Sequence, residues 1–151
     1  VNNKIQNQIT KEKTKEDHRI AVLEKVYEYH ESPCPKVMAQ TIVNSKRPAL
    51  YASLSIEESS GDPNAVGDGG KSTGAFQIQP QHWGKVPKQI DGQLQKAEDI
   101  LEGYITQNKG KLRPALAMYN GGDRPPKKSY AYADRIISRA YKINQKKKKK
   151  S

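Results

Sequence analysis

Two adjacent carboxylates, Glu57 and Glu58, close a stretch of helical character and are followed by Ser59-Ser60-Gly61-Asp62-Pro63-Asn64. A helix C-terminus carries the negative pole of the aligned peptide dipoles, so an exposed anion there loses about 0.3–1 kcal/mol. Like charges side by side add repulsion, and lysine or arginine would suit the position better. A chemical reason for glutamate is a carboxyl group that has to stay protonated near neutral pH. Burial against apolar groups and the field of the helix end both push a glutamate pKa upward. Held in that state it is a general acid, able to hand a proton to a leaving oxygen as glycoside cleavage requires. Helical arithmetic does not choose between the two: at roughly 100° per residue, Glu58 lies between Tyr51 and Leu54, and Glu57 near Leu50 and Leu54. Two solvated carboxylates on an exposed helix end are the plain alternative.

The elements that must position such a group are mostly helices. Ile20, Leu23, Val26, Tyr27 and His30 recur at helical spacing and predict an amphipathic helix that Ser32-Pro33-Cys34-Pro35 ends. Pro35 suits the first turn of a second helix, whose apolar stripe is Val37, Met38, Thr41 and Ile42. Arg47-Pro48 opens a third over about 49–59, ending in the two glutamates. Turn chemistry then takes over, with Gly-Asp-Pro-Asn from Gly61 and Gly-Asp-Gly-Gly at 67–70. The segment 74–80 is too short to assign as strand or helix start. Helical spacing returns over 93–107 and again from Pro114 to the stop signal Asn120-Gly121-Gly122. It returns once more over about 130–143, where Tyr132, Ile136, Ala140 and Ile143 share a face. The expected architecture is mainly α, with a short glycine-rich irregular or β-hairpin segment beside a groove. Residues 1–17 form a polar segment, frayed or a solvent-exposed helix; 18–144 form the packed domain; 145–151 are a basic tail containing the lysine run 146–150.

Composition narrows the classes. The 151 residues suit one domain with a single core. No run approaches the roughly 18 apolar residues of a membrane span, and residues 1–20 lack the apolar centre and cleavage site of a signal peptide. Because the chain begins with Val rather than Met, a mature form or an excised domain is compatible with it. Cys34 is the sole cysteine, which rules out an internal disulfide and a cysteine-based zinc site. His18, His30 and His82 lack metal-ligand spacing, so neither metal nor cofactor is expected. A net charge of +11 attracts polyanions such as nucleic acid, anionic lipid or an acidic wall. Basic residues interleaved with aromatics, the mark of a nucleic-acid surface, are missing from the sequence, so nucleic acid is not the expected partner.

Four blocks together resemble the catalytic domain of soluble lytic transglycosylases and goose-type lysozymes. They are Glu58-Ser59; Asp62-Pro63-Asn64-Ala65 leading to Gly74-Ala75-Phe76-Gln77; Ala115-Leu116-Ala117-Met118-Tyr119-Asn120-Gly121-Gly122; and Tyr132 in the last helix. They occur in the family's order over about residues 48–140. The resemblance implies a lysozyme-like fold and a peptidoglycan-cleaving enzyme with Glu58, the residue before the matching Ser59, as catalytic acid. It further implies that Ser59 bonds near the site, that Gln77 and Tyr119 line a saccharide groove, that Asn120 faces the sugar, and that Tyr132 stands close to Glu58. Each has a plainer alternative: Ser59 and Asn120 as helix-end chemistry, Tyr132 as core. Phe76 reads as floor packing, and Trp83 as either a sugar platform or a core anchor. Ala75-Phe76 replaces the family's frequent Leu-Met, and Tyr-Asn-Gly-Gly replaces Tyr-Asn-Ala-Gly.

Within the family, transglycosylases use one glutamate and let the sugar's own 6-hydroxyl attack C1, whereas goose-type lysozymes activate water with further carboxylates. Asp68 is the candidate second carboxylate, or else it caps its own turn. The single-glutamate transglycosylase is the favoured expectation, the hydrolytic muramidase the alternative, and a non-catalytic basic wall-binding module the second alternative. The expected partners are peptidoglycan glycan strands, with an anionic wall or membrane surface met through the lysine tail. A monomer acting in the periplasm, after secretion or on a virion completes the expectation.

Overall fold

The computed structural model describes residues 2–149, with side chains as far as Lys146. Seven α-helices and one two-stranded antiparallel sheet follow in the order α1 (Asn2–Tyr29), α2 (Pro35–Ile42), α3 (Pro48–Ser59), β1 (Val66–Gly67), β2 (Ser72–Thr73), α4 (Pro80–Trp83), α5 (Ile90–Gln107), α6 (Leu112–Gly121) and α7 (Lys127–Lys149). The protein is thus mainly α with a short β-hairpin.

Helix α3 is the axis. Every residue from Ala49 to Ile56 is buried, so no side of the helix faces water until its last turn, and the other helices wrap it. Its start uses Pro48 in the first turn, where the missing N–H has no intrahelical partner to lose. Helix α7 lies along α3: the Ser53 hydroxyl donates to the Ile136 carbonyl at 2.7 Å, and Arg139 Nη1 donates to the Ser53 carbonyl at 3.1 Å. Across α1 the Tyr27 hydroxyl bonds Ser55 Oγ at 2.7 Å, and Ser55 in turn donates to the Ala52 carbonyl at 2.8 Å. Leu23, Val26, Met38, Ile42, Leu54, Phe76, Leu101, Leu116 and Ile136 belong to one continuous core.

The polar segments at both ends are helical where they are described. Residues 2–15 are exposed yet helical, so of the two expected forms, frayed or solvent-exposed helix, the helix is the one observed. Lysine is a good helix former once a packed helix can propagate, and α7 accordingly runs through the basic segment to Lys149. Residues 150 and 151 of that expected tail lie outside the described residues. No described helix is long and apolar enough to cross a membrane.

Candidate functional site

Helix α3 ends in a left-handed residue, Ser60 (φ 58°), whose N–H returns to the Ile56 carbonyl at 2.9 Å. Gly61 follows with φ 78°, and a Cβ there would lie 2.6 Å from the Tyr27 ring, so glycine is required. This tight stop orients the two glutamates differently. Glu57 turns to α7, where Arg135 and Arg139 each reach its carboxylate at 3.0 Å, leaving its side chain 15% exposed. It is an ion-paired clamp between helices. Glu58 turns the other way, into a groove of about 610 Å³. The choice that helical arithmetic left open is made by the arginines of α7.

In the groove, Glu58 Oε2 accepts a hydrogen bond from the Tyr132 hydroxyl at 2.5 Å. Burial pushes the Glu58 carboxyl up to about 7, opposed by the Tyr132 bond and aided by the negative charges of Glu57 and Asp68. Burial, followed by the Glu58 charge, holds the Tyr132 and Tyr119 hydroxyls well above their ordinary value, so both remain protonated donors. Tyr119 lines the groove from α6 and donates to the Phe76 carbonyl at 2.8 Å, which offers its ring rather than its hydroxyl to an occupant.

The glycine-rich segment forms the facing wall. Strands β1 and β2 pair Val66 with Thr73 and Gly67 with Ser72, and their loop passes through left-handed conformations at Asp68 (φ 53°) and Gly69 (φ 65°). Thr73 and Ile78 then exchange backbone hydrogen bonds at 3.0 and 3.1 Å, making residues 74–77 a tight loop rather than strand or helix start. Gln77 sits in it with φ 48°, its Nε2 donating to the Gly74 carbonyl at 3.0 Å. A Cβ on Gly67 would fall 2.2 Å from Gln77 Oε1, so the hairpin glycine makes room for this side chain. Gln77 lines the groove as expected, and its amide also staples the loop.

Asp68, offered as a second carboxylate or a turn cap, has contacts on both sides. It lines the groove, and its Oδ2 accepts the Ser72 hydroxyl at 2.5 Å across its own hairpin. Asn120 also lines the groove while its Oδ1 accepts the buried Ser129 hydroxyl at 2.8 Å, so it is both a helix-end residue and a wall residue. Ser59, expected to bond near the site, is engaged within the fold. Its hydroxyl donates to the Ala75 carbonyl at 2.7 Å and accepts the Asp62 N–H at 3.0 Å, tying the end of α3 to the glycine-rich loop. It positions Glu58 and is absent from the groove lining.

Trp83 resolves as a groove residue: it is 43% exposed and meets Tyr104 edge to face at 6.1 Å between centroids. Phe76 is fully buried against Tyr51 and is floor, as expected. Sequence reasoning missed Gln93, which is 2% exposed and joins three segments. Its Oε1 accepts the Ala75 N–H at 2.9 Å, while Nε2 donates to the carbonyls of Pro63 at 3.0 Å and Lys88 at 3.2 Å. A glutamine on the apolar face of a helix, among Leu94, Ala97 and Ile100, was the available signal. Among the described residues no three His, Cys, Asp or Glu side chains converge to hold a metal ion.

No protein-family model matches the chain, and neither a curated protein nor a solved structure matches it.

Proposed function

We propose that the chain is a peptidoglycan lytic transglycosylase with Glu58 as its single acid/base. Glu58 gives its proton to the glycosidic oxygen between N-acetylmuramic acid and N-acetylglucosamine as the C1–O bond breaks. The resulting carboxylate then takes the proton of the muramic 6-hydroxyl, whose oxygen bonds to C1 and closes a 1,6-anhydro ring. Water is not consumed. The observation that carries this reading is the half-buried Glu58 carboxyl, lining a groove and pushed up to about 7 by its surroundings. General acid catalysis of this kind contributes about 10²–10⁴-fold. The exposed face of Trp83 and the ring of Tyr119 suit sugar faces, and Asn120 supplies a polar edge. A wall-cleaving activity belongs in the periplasm, in a secreted form or on a virion.

One observation favours a second reading, hydrolysis as in goose-type lysozymes: Asp68 lines the same groove and raises the Glu58 carboxyl through its charge. Against it, the Asp68 carboxylate is engaged by Ser72, and the residue is exposed rather than enclosed where a water would have to be held. The deciding experiment is mass spectrometry of muropeptides released from purified peptidoglycan by wild type and Glu58→Gln. Products one water lighter than reducing-end muropeptides, absent with the variant, are expected. Reducing-end products lost on Asp68→Asn would make the enzyme a muramidase. No products from wild type, with wall binding intact, would overturn the enzyme in favour of a binding module.

A further inference from the structure

A second concavity, of about 630 Å³, runs between α1 and α7 and is built from different chemistry. Arg135, Arg139, Lys142 and Lys146 line it from α7; Val26 and Tyr29 line it from α1, and His30 from the turn that follows. Their spacing of four, three and four residues aligns the cations on one helical face over about 16 Å. The acidic groups nearby offset only part of this charge. Glu57 is clamped by the two arginines on the α3 side, and Asp134, the sole acidic lining residue, pairs with Arg113 at 2.8 Å. Among the described ion pairs, none engages Lys142 or Lys146. Burial, then the charges of Arg139 and Lys146, lower the His30 pKa, so the imidazole itself sits in a positive field.

We propose that this trench is a docking site for a linear polyol-phosphate polymer, separate from the Glu58 groove. A row of cations about 5–6 Å apart along a helix complements a chain that repeats a single negative charge at similar intervals. Concavity and one aromatic rim argue for a flexible polymer over the other polyanions. A membrane surface asks for exposed apolar side chains beside the cations, but the exposed aliphatics of α1, Ile5 and Ile9, lie about 30 Å away along the helix. Single-stranded nucleic acid asks for successive stacking platforms, whereas the trench has one exposed aromatic, Tyr29, already edge-on to His30 at 5.0 Å. The docking does not depend on Glu58 chemistry, so its test stands apart from any activity.

The test is titration of the full chain with purified polyglycerol phosphate, followed calorimetrically at low and moderate salt. Lys142→Glu/Lys146→Glu is expected to weaken binding about tenfold or more and to flatten the salt dependence. Both side chains are exposed, and an unchanged thermal melt checks that the fold is retained. Lys11→Glu/Lys15→Glu, an equal charge change on an exposed part of α1, is expected to stay within about twofold of wild type. Equal losses in both variants would reduce the effect to net charge and overturn the site. Tighter binding of an oligothymidylate, or of phosphatidylglycerol vesicles, than of polyglycerol phosphate at matched phosphate would overturn the choice of partner. No measurable binding of the polymer by wild type at low salt would overturn the proposal altogether.

Discussion

At the scale of the residue, neighbours one position apart have opposite electrostatic fates. Glu57 faces two guanidinium groups; Glu58 faces the groove and a phenol, with two other carboxylates near enough to raise it, and keeps its proton to about 7. That retention has a cost in stability, with a definite sign. In the unfolded chain Glu58 ionises near its ordinary 4.5, while in the fold it ionises near 7. Between those values the folded state binds more protons, so stability falls as pH rises and the full penalty is present above 7. Glu58→Gln removes the penalty while still offering Tyr132 an acceptor. The variant is therefore expected to exceed wild type by about 1–3 kcal/mol at pH 8 and to match it near pH 4, as measured by urea midpoints at the two pH values. Equal midpoints at pH 8 would mean that the carboxyl is solvated. The motif at 58–59 was legible as chemistry, yet which glutamate entered the groove depended on Arg135 and Arg139, some 80 residues away, whose contact no local pattern encodes.

At the scale of the element, the wall facing Glu58 has almost no regular structure of its own. Two strands of two residues and a four-residue loop cannot be stable alone, and they borrow rigidity from α5 and α3. Gln93 of α5 holds the Ala75 N–H and Ser59 of α3 the Ala75 carbonyl, with Tyr119 of α6 adding a bond to the Phe76 carbonyl. Gln93→Ala would leave the Ala75 N–H and two carbonyls without partners inside the protein. A loss of about 2–4 kcal/mol is expected in chemical denaturation, with kcat/KM on peptidoglycan falling more than the folded fraction does, because Phe76 and Gln77 shift with the loop. Gln93→Glu, which keeps the acceptor for Ala75, should recover part of the loss. Helices α3, α5 and α6 were readable within about three residues because each shows an apolar stripe or a proline start. The four-residue α4 was not, and the hairpin was foreseen only as one form of the glycine-rich segment, without bounds, since neither spans enough residues to display a period.

At the scale of the whole molecule, one core carries the fold and a long helix extends from it. From Asn2 to Lys15 every residue of α1 is exposed, and the hydrogen bonds there stay within the helix, such as Gln8 to Glu12 at 3.1 Å and Thr10 to the Gln6 carbonyl at 3.0 Å. The same helix enters the core only at Val22, Leu23, Val26 and Tyr27. An isolated helix of that length and polarity is marginal in water, so this part contributes little beyond propagating a helix already anchored downstream. Deleting residues 1–17 is therefore expected to leave a single cooperative melt with a midpoint within about 2 °C of the full chain, because no buried apolar surface is lost. The Glu58 carboxyl should titrate unchanged, since the deleted residues contribute nothing to the groove. A drop of 5 °C or more would show that the exposed helix packs against something in solution, with a second copy the first possibility to test by sedimentation. The two concavities share no lining residue, with Glu58 opening to one and the Glu57 arginines to the other, and all of their lining falls between Val26 and Lys146. A truncation that spares residues 18–146 should for that reason preserve both sites together, whereas any lesion in the seam, Arg139→Ala above all, should disturb both at once.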